Sequence, residues 1–326
     1  MKIFINATGP ETPGGYFTYI TNLLKNIAYL DEFNYYYVLC NGNIYKEVKS
    51  LNGNIQVSKA TFFHKYALFR FFWMQFLLPI IMKFKAIKIC LSPLNISPYL
   101  CNLFKIKSIT VLHSNIPWTN VNYLPQGIIG SYLKKKLQEF SLCTSDLVVA
   151  VSLYAKNEII QHTKIPENKV QVIHHGINPV NICKQNSTNK YFLYVANSAI
   201  HHNHIKLLDA FSYFLHNTTL KYQLYLVIDN IDIENYNLIL LKIKTLNLTN
   251  SVKILDPVNK NELDIIYYNA VLYIFPSLME TFGMTTLESM ACGTPVLCSN
   301  TSAMPEINGD AAVYFDPKNH IDISEK

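Results

Sequence analysis

Short apolar runs alternate with amphipathic stretches along most of this chain. Residues 2–6 form a brief apolar run that ends in a glycine-containing loop, and residues 16–28 carry apolar positions at helical spacing. Residues 35–39, 88–92, 108–113, 146–152 and 170–173 read as further strands, with a helix predicted over 129–143. The segment DLVVAVS at 146–152 is a near-continuous apolar run, the pattern of a strand buried on both faces. Residues 181–190 (NICKQNSTNK) are polar and aperiodic, and predict a linker. The alternation then resumes. Strands are predicted over 191–196, 222–228, 252–255, 271–275 and 295–298, and helices over 205–215, 236–246, 260–268 and 284–291. Strands spaced by helices imply parallel sheets with right-handed crossovers. The expected fold is α/β, two tandem Rossmann-like domains over 1–180 and 190–326, with ligands held beyond the strand carboxyl ends in the interdomain cleft.

Composition adds bounds. A chain of 326 residues, half of them apolar, is long enough for two cores and is not a disordered sequence. The net charge of +6 comes from scattered lysines and one tight run, Lys134–Lys136. That run reads either as a solvated helix face or as peripheral contact with the anionic inner surface of a membrane. No Arg-rich or RNP-like signature is present, so nucleic acid is not an expected partner. Seven cysteines without CxxC spacing point to reduced thiols in the cytoplasm, and no histidine spacing suggests zinc. The N-terminus starts a strand directly and reads as lacking a signal peptide. The most apolar region, 67–82, is interrupted by Arg70, Gln75 and Pro79 and is too short to span a bilayer. A buried helix is the expected reading; a helix lying on a membrane surface is the alternative.

The candidate chemistry lies in PSLMETFGMTTLE, residues 276–288. A buried strand ends at Phe275, and a helix opens near Gly283 with its free N–H groups forming an anion site. Gly283 admits a ligand close to the backbone, and Thr285 and Thr286 add hydroxyls. Glu280 lies before the helix. Glu288 lies more than one turn inside it, roughly 7 Å on at about 1.5 Å per residue. Carboxylates flanking an anion site suit a ligand with sugar, phosphates and ribose. Equally, Glu280 can simply complement the helix dipole while Glu288 is solvated. Spacing alone leaves both readings open.

The stretch PSLMETFGMTTLESMACGTPVLCSN, continuing as SAMPEINGDAAVYFDP, resembles the retaining glycosyltransferases of family 4, which have the GT-B fold. Thr281 stands where that family usually has glycine, and Thr285 where it has proline. The resemblance implies that Glu280 holds the donor sugar hydroxyls and that Phe282, Gly283 and Met284 present backbone N–H groups to sugar and phosphate. It also implies that Glu288 holds the ribose of a UDP- or GDP-linked donor, with no cofactor and no metal. No D-x-D motif occurs; Asp229 and Asp232 are the nearest approach and are wrongly spaced. Gly14 and Gly15 resemble the family's N-terminal glycine loop, making Gly15 a candidate donor contact. WMQFLLP at 73–79, followed by Ser92-Pro93, is similar to a mannosyltransferase-like branch and leans toward GDP-mannose. His113 ends a strand where the family places a cleft histidine. DLVVAVSLYAKNEI and VIHHGIN (172–178) match its last N-terminal-domain strands.

At 201–206 the family usually carries (R/H)-K-N, a basic pair that neutralises the leaving diphosphate. Here the residues are His201, His202, Asn203 and His204, with Lys206 one turn on. A free imidazole titrates near pH 6.5, so pH-sensitive activity is expected unless Lys206 supplies the charge. Family members also continue past Asp316-Pro317 with helices that cross back to the N-terminal domain; those are missing from this sequence. The resulting expectation is a hexosyltransferase acting on a glycan or lipid-linked acceptor in surface polysaccharide synthesis. The alternative is an inactive, nucleotide-binding remnant. A sugar epimerase fits the ETFG setting less well. A dehydrogenase is disfavoured because no GxGxxG follows a strand, and a glycosidase because it needs no anion site.

Overall fold

Apolar runs become strands here because a parallel sheet with helices on both faces buries the β-branched and aromatic side chains of either side. The computed structural model describes residues 1–9, 14–51, 53–60, 67–113, 127–180 and 190–326. The chain divides into two compact units, Met1–His175 and Gly176–Lys326. Of the predicted linker, only Lys190 lies among the described residues.

The first unit holds β1 (Lys2–Ala7), β2 (Tyr35–Cys40), β3 (Ile55–Lys59), β4 (Ile89–Ser92), β5 (Lys107–Leu112), β6 (Leu147–Ala150) and β7 (Val170–Val172). They form one parallel sheet in the order β3-β2-β1-β4-β5-β6-β7. The chain winds outward from β1 in one direction, then returns and winds in the other. Its helices therefore cover both faces. One core layer packs Ile5, Val38 and Cys40 against Ile20 and Leu24 of the helix Gly15–Leu30 and Ile44 of the helix Gly42–Val48. The opposite layer packs Phe4 and Cys90 against Leu78 and Met82.

Leu78 and Met82 belong to a continuous helical run made of Ala67–Phe72, a π-helical turn Trp73–Leu77, and Leu78–Phe84. This corrects the expectation of a buried helix. Gln75, Leu78, Pro79 and Met82 are buried, but Phe72, Phe76 and Phe84 stand exposed. The reason lies in its place in the fold: the run covers the sheet as a surface layer, so only one side is packed. No helix among the described residues is long and apolar enough to cross a membrane.

The second unit holds β8 (Tyr191–Val195), β9 (Gln223–Val227), β10 (Val252–Leu255), β11 (Leu272–Phe275), β12 (Val296–Ser299) and β13 (Ala312–Phe315). Their order is β10-β9-β8-β11-β12-β13, again parallel throughout. All four residues of β12 are buried, as expected of a central parallel strand. The order reverses between β8 and β11, which pair through Leu272 with Phe192 and Tyr273 with Leu193. Loops leaving the carboxyl ends of two such strands diverge and leave a crevice, which is where open α/β sheets bind ligands. The loop after β8 carries His201 and His202. The loop after β11 carries Glu280.

Candidate functional site

The loop after β8 runs into a 3-10 turn, Ile200–His202, and then Asn203, whose φ of 62° places it in the left-handed region. Asparagine tolerates that conformation better than most residues. The Asn203 side-chain amide donates to the carbonyls of Pro276 (3.0 Å) and Pro317 (2.8 Å), so this residue ties together the loops following β8, β11 and β13. One further bond holds the first two loops side by side: the Leu278 N–H donates to the His201 carbonyl at 2.8 Å. Within the first, the Tyr194 hydroxyl of β8 donates to the His202 carbonyl at 2.7 Å.

These constraints bring His202 against Glu280. Nδ1 of His202 lies 3.3 Å from Oε1 of Glu280. The Ser277 hydroxyl donates to the same oxygen at 2.9 Å, and the Glu280 backbone N–H donates to Oγ of Ser302 at 2.9 Å. Burial acts to raise the Glu280 carboxyl. The His202 hydrogen bond and charge, then His201 and the Ser277 bond, outweigh it and hold the carboxyl below its usual range. His201 is pushed down to about 4, by burial first and by the neighbouring His202 second, against the pull of Glu280. Burial drives His204 well below its ordinary value, with His202 and His201 adding to it. At neutral pH His201 and His204 are therefore uncharged imidazoles.

His201, His202 and Glu280 each offer one ligand atom, all within 4.8 Å of one another. Two opposite ligands at about 2.1 Å from one ion stand only about 4.2 Å apart. A separation at the upper bound would have to close before one ion could bridge all three.

The helix Met284–Ala291 begins immediately beyond, with the bounds its sequence predicts. Gly283 is its N-cap at φ 84°, a backbone that disfavours any side chain, and a Cβ there would meet Cε of Met304 at 2.3 Å. Among the described residues no side chain caps this helix; the Thr286 N–H turns back to the Gly283 carbonyl at 3.1 Å, and the N–H groups of Met284 and Thr285 have no partner within the helix, as an anion site requires. Phe282 is buried beside it, and the Thr286 hydroxyl turns inward to donate to the Gly283 carbonyl.

Glu288 is not a solvated residue on the helix surface. It is buried, accepts from Lys260 Nζ at 3.1 Å, and takes a longer bond of 3.4 Å from the Tyr267 hydroxyl. Lys260 also pairs with Asp264 at 2.8 Å. Burial acts to lower the Lys260 ammonium, but the two carboxylates outweigh it and its pKa is raised. Lys260 and Tyr267 were not identified from sequence. They lie 28 and 21 positions from Glu288, on the helix Lys260–Asn269, and no local spacing announces them. Lys206 sits in the first turn of the helix His204–Asn217; among the described residues, the partners of Glu280 and Glu288 do not include it.

The first unit contributes a separate cluster. His113 follows β5, and its backbone N–H donates to Oδ1 of Asn95 at 2.7 Å. Its ring stacks on His175 at 5.3 Å and meets the edge of Tyr19 at 4.5 Å. Burial, then the charge of His175, push His113 down to about 3, while a backbone bond at Pro93 opposes them. His175 is pushed down to about 4 by burial and by His174. Gly15 opens the helix Gly15–Leu30, where an added Cβ would meet nothing within 4 Å. Lys134–Lys136 lie on the helix Gly127–Thr144, with Lys136 bonded to Glu139 at 2.9 Å.

Comparison with known proteins bears on both units. Residues 13–180 match the family described as Glycosyltransferase Family 4, and residues 181–326 match Glycosyl transferases group 1. The chain belongs to glycosyltransferase family 4. Over 223 residues it is 26% identical to O-antigen chain mannosyltransferase B of Escherichia coli, covering 65% of this chain and 58% of that protein. It is 29% identical over 199 residues to O-antigen chain mannosyltransferase RfbU of Salmonella typhimurium, covering 60% and 54%. These matches thus span little more than half the length of the two relatives. Among solved structures, a glycosyltransferase from Rickettsia africae superposes with a TM-score of 0.74 at 20% identity, over 99% of this chain and 86% of that one. Anabaena HepE in complex with UDP and glucose gives a TM-score of 0.74 at 16% identity, over 100% and 88%. At such identities the structures speak to the fold. That fold is the GT-B fold of a family 4 member, built of two Rossmann-like units.

Proposed function

We propose that this family 4 protein is a retaining hexosyltransferase, acting in the cytoplasm, that moves a sugar from a nucleotide diphosphate donor to a glycan or lipid-linked acceptor in surface polysaccharide synthesis. One observation carries the reading. Two carboxylates, Glu280 and Glu288, bracket an uncapped helix N-terminus at the switch point of the second sheet. The helix N–H groups suit the diphosphate, Glu280 the sugar hydroxyls, and Glu288 the ribose. In the reaction the bond from the anomeric carbon to the diphosphate oxygen breaks and a bond to the acceptor oxygen forms. The acceptor proton passes to the departing phosphate. The naming of several relatives as mannosyltransferases favours GDP-mannose as donor.

The test is release of nucleoside diphosphate from GDP-mannose and from UDP-glucose, with and without a chelator, alongside calorimetric binding of GDP and UDP. Turnover lost in Glu280→Gln, with diphosphate binding retained, supports the reading. A nucleotide-binding remnant is the second reading, favoured by the contact of His202 with the carboxylate the sugar needs. Nucleotide binding without turnover across donors and acceptors would establish that reading and overturn the first.

A further inference from the structure

Between Glu47 and Glu139 the chain contains twelve lysines and arginines and not one acidic residue. The rest of the chain holds 16 basic residues against 22 acidic, so the modest net charge conceals a strongly polarised molecule. The helical run over 67–84 lies inside this basic segment. Phe72, Phe76, Leu77, Ile80, Ile81 and Phe84 are between 39% and 87% exposed, on the side opposite the packed Leu78 and Met82. Phe72 and Phe76 stack with ring centroids 6.1 Å apart. Exposed Lys83 and Lys85 stand at the end of the run, and among the described residues no ion pair joins either to a carboxylate. The helix Gly127–Thr144 belongs to the same side of the sheet. Its Phe140 meets the Tyr99 ring at 4.7 Å, and Tyr99 in turn meets Phe71 at 6.1 Å. That helix brings exposed Lys136, one turn before Phe140 on the same face. Among the described residues, Glu139 of this helix and Asp146 just after it are paired, with Lys136 and Lys107.

We propose that this face of the first unit docks on an anionic phospholipid bilayer. A contiguous exposed apolar stripe needs a cover, and its basic surroundings select a negatively charged one. An interfacial helix meets both needs: its aromatic and aliphatic side chains enter the acyl boundary while flanking lysines stay among the headgroups. The proposal stands whether or not the protein transfers sugar, because it uses none of the residues of the second unit.

The experiment is co-sedimentation of the full chain with phosphatidylcholine vesicles, with and without phosphatidylglycerol. Binding is expected only with phosphatidylglycerol and is expected to weaken as salt rises. The triple variant F72S/F76S/F84S should lower the partition coefficient about ten-fold or more, with its circular dichroism unchanged, because all three side chains are exposed. The double variant K83Q/K85Q should weaken binding and flatten the salt dependence. Equal binding to both vesicle types, no binding to either, or wild-type binding by the triple variant would overturn the proposal. So would a concentration-dependent dimer abolished by the triple variant, which would assign the face to a second copy of the chain.

Discussion

His202 is the residue on which the proposed chemistry turns. It holds Glu280 through Nδ1, and it stands where a lysine would keep its charge at any working pH. A lysine there would set a permanent ammonium beside the departing diphosphate, so His202→Lys should raise turnover several-fold. Steady-state rates with GDP-mannose check this, and an unchanged or lower rate would sink it. Glu288 makes a second prediction. If it holds the ribose, Glu288→Gln should weaken GDP or UDP binding by roughly ten-fold, since a charge-assisted hydrogen bond is lost. Lys260→Met should weaken it as well, by freeing the carboxylate that Lys260 holds; calorimetry reads both. At this scale the motif already singled out Glu280, Gly283 and Glu288. It did not reveal Lys260, Tyr267, Ser277 or Ser302 as their partners, and it did not join His113 to Tyr19 and His175. Most of these contacts are made between elements far apart in the chain, so no period could betray them. Ser277 is local, but a serine three positions before a glutamate is too common to mean anything alone.

Among the elements, the two candidate glycines behave oppositely. Gly283 sits at φ 84° with Met304 pressed against it, so Gly283→Ala should cost about 1–3 kcal/mol and blunt diphosphate binding. Gly15 has open space and no positive φ. Gly15→Ala should therefore leave the melting temperature unchanged or slightly raised, and any loss of donor affinity would then report a direct ligand contact. Thermal denaturation with and without nucleotide separates these outcomes. Element boundaries were most legible where apolar runs are dense. The helix Met284–Ala291 and the strand Val252–Leu255 coincide with their sequence patterns. The edge strand Ile55–Lys59 was missed because only Ile55 is buried, leaving no alternation to detect. The helix Gly42–Val48 was missed because its seven residues span barely two turns. The apolar content of 67–82 reads as burial, whereas Phe72, Phe76, Leu77, Ile80 and Ile81 within it are exposed.

For the whole molecule, acid should act on both units together. His113, His175 and His201 are held neutral by the fold, at values pushed down to about 3, about 4 and about 4. In the unfolded chain they protonate near 6.5. Between pH 6.5 and about 4 the unfolded state binds more protons, so stability is complete above 6.5 and falls as pH drops through that window. The depressed carboxyl of Glu280 acts in the same sense below its unfolded value, since its contribution is lost as pH falls through the lower folded one. Melting temperatures from pH 7 to pH 4 should decline steadily. His201→Gln should flatten part of the decline, worth on the order of 1–3 kcal/mol; an unchanged slope would refute the assignment.

The Asn203 amide bears on how the protein is made. Its two acceptors are the carbonyls of Pro276 and Pro317, the second of them 114 positions away. During synthesis the turn that carries His202 emerges long before either acceptor. Until residue 317 has left the ribosome, the Asn203 side chain lacks its second anchor, and its left-handed backbone has only part of its support. The half-made second unit should therefore present its donor loops unfixed. Ribosome-stalled chains, with residue 317 still inside the exit tunnel, and the released chain should differ sharply in nucleotide affinity, with the gain arriving in one late step.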